Sequence, residues 1–179
     1  MKIQRIHHVA YRCKDAKETV KWYGKYLNMD FILAIAENEV PSTGAPDPYM
    51  HVFLDAGQGN VLAFFELPTQ PEMGKDPNTP DWVQHIAFQV ESIDMLEETK
   101  RKLEADGIGV VGLTDHTIFK SIYFFDPNGH RLELAANTNT PKMDRQLDEV
   151  KWDMLNEWAE TKKAPQHAHW MHDGSYSDS

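Results

Sequence analysis

The sequence predicts an α+β fold made of two copies of one βαβββ module, followed by a C-terminal amphipathic helix. Three observations carry that expectation: a repeated order of apolar and polar positions, helical periodicity inside each copy, and a matched closing strand in each. Gln4 to Phe31, containing His8-Val9-Ala10-Tyr11, follows the same order as Val83 to Ile108, containing His85-Ile86-Ala87-Phe88. The closing strands, Phe64-Phe65-Glu66-Leu67 and Arg131-Leu132-Glu133-Leu134, also correspond.

Each module opens on a strand of alternating character. Ala16, Val20, Tyr23 and Leu27 then recur at helical spacing in the first copy, and Ile93, Leu96 and Leu103 in the second. Asn28 and Gly107 are the corresponding helix stops. Strands are expected at Tyr49 to Leu54 and Asn60 to Leu67, and at Gly109 to Leu113, Ser121 to Phe125 and His130 to Ala135. The first copy is the longer between matching points, and Val40 to Pro48, rich in turn formers, is expected to hold the surplus as a long surface loop. This gives module one over 3–67, an extended proline-rich linker over 68–80 and module two over 81–136, all within a single domain over 1–139. Met143, Leu147, Val150, Met154 and Trp158 form an apolar stripe in a C-terminal helix over 140–163, a surface for packing or dimerisation. Beyond it, 164–179 is expected to be a flexible tail whose His167, His169 and His172 lack a scaffold for an active site.

Composition narrows the function. The 179 residues are 41% hydrophobic and 26% charged, which suits a globular domain. No apolar run reaches the roughly 18 residues of a transmembrane helix, and the start lacks the apolar stretch of a signal peptide, so the expected address is the cytoplasm. A formal net charge of −10 repels nucleic acid and anionic lipid, leaving a small molecule as the expected partner. Cys13 is the single cysteine, so any metal must rest on histidines and carboxylates.

Strand parity names those groups. Alternate side chains point to opposite faces, so Val9, Tyr11 and Cys13 pack on a helix while His8, Ala10 and Arg12 face the other way; Ile86, Phe88 and Val90 oppose His85, Ala87 and Gln89. The same count is expected to set Phe65 and Leu67 against Glu66, and Leu132 and Leu134 against Glu133. Two histidines and two glutamates at matched repeat positions suit one divalent ion, Ni, Zn, Fe, Mn or Co. Arg12 is a candidate to hold an anionic substrate group and Gln89 to add a neutral hydrogen bond. His51 is expected to be a surface histidine, with a place in the lining of the cleft as the alternative.

His8-Val9-Ala10, His85-Ile86-Ala87 and Asp126-Pro127-Asn128-Gly129-His130-Arg131-Leu132-Glu133 together resemble the vicinal oxygen chelate superfamily, which includes glyoxalase I, extradiol ring-cleaving dioxygenases and bleomycin-sequestering proteins. The resemblance covers roughly residues 3 to 136. It implies paired βαβββ modules around a metal-binding cleft, and commonly a homodimer. Glu66 resembles the fourth metal ligand of glyoxalase I. The chain also matches the ring-cleavers' signature through Thr114-Asp115-His116, Ile122-Tyr123, Asp126-Pro127, Gly129 and Glu133, although Asn60 stands where their acid-base histidine would precede the strand. The resemblance places His116, Lys120 and Tyr123 near substrate.

Coordination counting separates the branches. With His8, Glu66, His85 and Glu133 all bound, a six-coordinate ion keeps two sites, enough for two substrate oxygens but not for dioxygen. That favours a glyoxalase-type lyase or isomerase, in which Glu133 or Glu66 moves a proton beside a carbonyl. With Glu66 off the metal, three sites open and Fe(II) ring cleavage of a catechol-like substrate becomes the alternative.

Overall fold

The computed structural model describes residues 1–176, the side chain of His172 excepted. Its elements run β1 (Val9–Cys13), α1 (Ala16–Leu27), β2 (Asp30–Glu39), β3 (Pro46–Asp55), β4 (Val61–Glu66), β5 (His85–Gln89), α2 (Ile93–Ala105), β6 (Val111–Asp115), β7 (Phe119–Phe125), β8 (Arg131–Asn137), α3 (Pro141–Thr161) and α4 (Trp170–Asp173). Strand, helix and three strands therefore occur twice. The two four-stranded sheets, β1-β4-β3-β2 and β5-β8-β7-β6, repeat one topology, as the duplicated sequence requires. The chain divides into two units, one of Met1–Ile86, Ala105–Gly109 and Phe124–Leu132, the other of Ala87–Glu104, Val110–Tyr123 and Glu133–Ser179.

In the first unit α1 starts at the Asp15 cap, whose carboxylate accepts the Glu18 N–H at 2.8 Å. It stops at Asn28, a left-handed residue with φ 54°. The sheet buries Val52, Leu54, Leu62 and Phe64 on the α1 side, where the Tyr23 ring lies 5.0 Å from Phe64. β1 runs parallel to β4 with Val9 opposite Leu62, Tyr11 opposite Phe64 and Cys13 opposite Glu66. β3 is antiparallel to β4 with His51 opposite Phe65.

The expected loop over 40–48 is shorter than its bounds: residues 46–48 already belong to β3. The surplus of the first module lengthens the β2–β3 hairpin, in which Glu39 still pairs with Pro46, so only residues 40–45 turn. Pro46 and Pro48 lie beyond Met50, the last β3 residue paired with β4, where a missing N–H leaves no donor gap toward that strand.

In the second unit α2 buries Leu96 and Leu103, and β6 pairs antiparallel with β7. The C-terminal helix forms as α3, capped by Thr140 with Pro141 in its first turn. Met143 is its buried anchor, whereas Trp152 (66% exposed), Leu155 and Trp158 face outward. In the segment after α3, Ala168 is buried and the Thr117 hydroxyl donates to the Met171 carbonyl at 2.6 Å. No helix among the described residues is long and apolar enough to cross a membrane.

Cys13 is 1% exposed, and burial pushes its thiol up to about 11. At pH 8 only about one part in a thousand is then thiolate, the reactive form. Iodoacetamide is expected to leave the folded protein unmodified over an hour at pH 8 and to alkylate it fully in guanidinium; mass spectrometry reads both states.

Candidate active site

β1 carries Val9, Tyr11 and Cys13 toward α1 and Ala10 and Arg12 away from it, as parity requires. His8 precedes β1 on the face away from α1, with its ring 6.1 Å from His51 and 5.7 Å from Phe53. Its Nδ1 lies 2.8 Å from the His7 Nδ1, one ring donating to the other.

Glu66 is the correction. By register it shares the α1 face with Leu62 and Phe64, and its Oε2 accepts the Ala16 N–H at 2.7 Å. Its carboxylate thus satisfies an otherwise orphaned donor in the first turn of α1, where a negative charge is also favoured by the helix dipole. The residues of β4 that share the face of His8 are Val61, Ala63 and Phe65. Composition alone concealed this, because Leu62, Ala63 and Phe64 are all buried and leave no alternation to read.

His51 is the second correction. It is 8% exposed, not a surface residue, and it stacks on Phe65 with ring centroids 3.6 Å apart and lies 4.1 Å from Phe53. Burial, and then the neighbouring His8, hold its imidazole below the ordinary histidine pKa. His51 opposes Phe65, whose parity follows only once β4 is registered against β1, so no local sequence signal marked it.

His85 opens β5, and its Nδ1 donates to the Val83 carbonyl at 3.0 Å. That bond fixes the neutral ring with its lone pair on Nε2. The residue lines a cavity of about 650 Å³ together with Lys14, Lys75, His130 and Arg131. Arg12 is half-buried and spends one nitrogen on the Pro71 carbonyl at 2.6 Å. Gln89 is exposed.

In the second unit Glu133 is 4% exposed and sits between Leu132 and Leu134, which are buried as well. Its Oε1 accepts two hydroxyls, those of Ser121 and, at 3.1 Å, Tyr123. Both come from one face of β7, since Ile122 and Phe124 take the other. His116 Nε2 lies 2.9 Å from the Tyr123 oxygen. Because the phenol spends its proton on Glu133, His116 donates to it, giving a hydrogen-bonded line from His116 through Tyr123 to Glu133. Lys120 instead pairs with Asp115 at 3.1 Å. Two contacts to backbone N–H and ammonium, Thr117 first and Lys120 second, hold the Asp115 carboxyl below its usual value.

Two imidazoles and a carboxylate are donors that suit a divalent first-row metal. The settings of His85 and Glu133 fit that use: a carbonyl fixes the ring tautomer and hydroxyls orient the carboxylate, as outer partners of metal ligands do. As positioned, no three His, Cys, Asp or Glu side chains among the described residues are close enough together to hold an ion.

Comparisons with known proteins agree with this fold. Residues 5–134 match the family model described as the Glyoxalase/Bleomycin resistance protein/Dioxygenase superfamily. Metallothiol transferase FosB of Staphylococcus saprophyticus is 26% identical over 163 residues, covering 90% of this chain and 95% of that protein. MhqA of Bacillus subtilis (strain 168), named as a ring-cleaving dioxygenase, is 27% identical over 99 residues; the match covers 55% of this chain and 31% of that protein, about a third of its length. A solved structure of the fosfomycin resistance protein FosX from Listeria monocytogenes, complexed with Mn(II), shares the fold at a TM-score of 0.54 and 21% identity, covering 76% of this chain and 95% of that one. The chain belongs to the glyoxalase, bleomycin resistance protein and dioxygenase superfamily.

Proposed function

We propose that the protein is a metal-dependent dioxygenase that opens the ring of a catechol-like aromatic diol, with His8, His85 and Glu133 as ligands to one divalent ion. The observation that carries the reading is the hydrogen-bonded line from His116 through Tyr123 to Glu133. When bound, the ion supplies a positive centre that favours the deprotonated diol and a redox partner for dioxygen. The chain's own groups hold the carboxylate: Tyr123 donates its hydroxyl to Glu133 and His116 Nε2 donates to the Tyr123 oxygen, so the hydrogen-bonded line orients Glu133. Atoms balance without a further reductant, since both oxygens of dioxygen enter the product as one ring carbon–carbon bond beside the diol breaks. Arg12, Gln89 and Lys120 remain candidates for substrate contacts, and the active form is a cytoplasmic homodimer with residues 1–139 as the catalytic domain.

The lyase or isomerase reading depended on Glu66 as a fourth ligand; its register on the α1 face and the Ala16 N–H on its Oε2 support leaving it off the ion. The similarity to the ring-cleaving dioxygenase MhqA over part of its length supports the oxygen-dependent branch. Anaerobic loading with Fe(II), followed by a catechol panel in an oxygen electrode, tests the proposal. Oxygen uptake coupled to a yellow ring-opened product is expected. Isomerisation of a hemithioacetal by Ni- or Zn-loaded protein, with no oxygen uptake on any catechol, would overturn it. In parallel, Glu66→Gln is expected to keep its metal content and to lose about 0.3–1 kcal/mol of stability, the worth of a charge at a helix N-terminus; loss of metal in that variant would restore the four-ligand reading.

A further inference from the structure

His51 is a buried polar residue that the fold does not use. It is more than nine-tenths buried, and its Nε2 meets no hydrogen-bond partner among the described residues. A buried nitrogen left unpaired costs stability, because it gives up water and gains nothing in return. Phenylalanine has a similar shape and would avoid that cost in a wall already made of Phe53 and Phe65. A group that destabilises the protein and is easily replaced points to a use outside the fold. Its location suggests the use: β3 presents it on the face turned away from α1, with its ring 6.1 Å from that of His8.

We infer that His51 contacts substrate, its Nε2 forming a hydrogen bond to an oxygen of an aromatic diol held beside His8 against Phe53 and Phe65. This rests on the catechol-like substrate proposed above and adds the residue that fixes the orientation of the ring. The aromatic wall supplies apolar contact for a flat ligand, and the single unpaired nitrogen supplies the polar point that distinguishes a diol from a plain arene.

The test uses the full chain, loaded anaerobically with Zn(II), and titrates it with 4-nitrocatechol, whose visible spectrum reports binding. His51→Phe is expected to bind the probe on the order of tenfold to a hundredfold more weakly than the parent, the worth of one hydrogen bond to an ionised oxygen, while its Tm rises. His51→Gln, which restores a nitrogen donor, is expected to recover part of the affinity. Unchanged probe affinity in His51→Phe would overturn the inference while leaving the proposed function standing. A lower Tm in that variant would overturn it as well, by showing that the fold uses Nε2. Absence of probe binding by the parent protein would remove the catechol reading and the role of His51 together.

Discussion

Replacing Asp126 with alanine is expected to lower the unfolding free energy by about 3–5 kcal/mol, the range for breaking a buried polar network. Asp126 is 5% exposed, and its carboxylate accepts four hydrogen bonds. Oδ1 takes the N–H groups of Asn128 at 2.9 Å and His130 at 2.8 Å; Oδ2 takes the Tyr23 hydroxyl at 3.1 Å and the Asn128 side-chain amide at 2.9 Å. Asn128 in turn accepts the Lys14 N–H at 2.8 Å and donates to Thr19 Oγ1 at 3.1 Å, so the turn ties β1 and α1 to the start of β8. Alanine would strand all four donors, each costing about 1–3 kcal/mol when buried and unpaired, though not additively. Urea titration should show a lower midpoint at unchanged slope, and Tm should fall by on the order of 10 °C. Tyr23→Phe removes only one of the bonds, and about 1 kcal/mol is expected. Burial, and then the Asp126 charge, already hold the Tyr23 phenol in its protonated form, well above its ordinary pKa, so it remains a donor at any working pH. An alanine variant as stable as the parent would show that the turn is held by its backbone alone.

That network explains why part of the sequence was legible and part was not. Asp126-Pro127-Asn128-Gly129 is a family mark, and its chemistry in this chain is structural: it anchors the first turn of α1. The strand–helix–strand repeat was readable because α1 and α2 bury one face each and carry their own stop residues, Asn28 and Gly107. Glu66 was not. Phe64 and Phe65 are equally apolar, so only the pairing of β4 with β1 decides which faces α1, and pairing is a non-local property. The β2–β3 hairpin misled for a related reason: its prolines and glycine mark a turn, but the length of ladder on each side depends on the partner strand. His51 carried no pattern of its own and became visible only when Phe65 was placed.

Replacing Glu133 with glutamine is expected to leave the fold intact and to remove the metal. The side-chain oxygen of glutamine can take the place of Oε1 and go on accepting the Ser121 and Tyr123 hydroxyls. What changes is charge, and a neutral amide is a far poorer ligand for a divalent ion than a carboxylate. Partners in the outer shell of a metal site typically cost about 10–100-fold in affinity or activity when removed. Tyr123→Phe, which deletes one such partner and its link to His116, should fall in that range, and Glu133→Gln should exceed it. Tm should move little in Glu133→Gln apoprotein, while metal content after dialysis and oxygen uptake on a catechol should both drop to background. If Glu133 were only a structural acceptor, the two variants would separate differently: Glu133→Gln would retain metal and turnover, and Tyr123→Phe would affect stability alone. Comparing the variants by metal content and by Tm therefore tells a ligand held by its hydrogen bonds from a buried carboxylate that merely satisfies them.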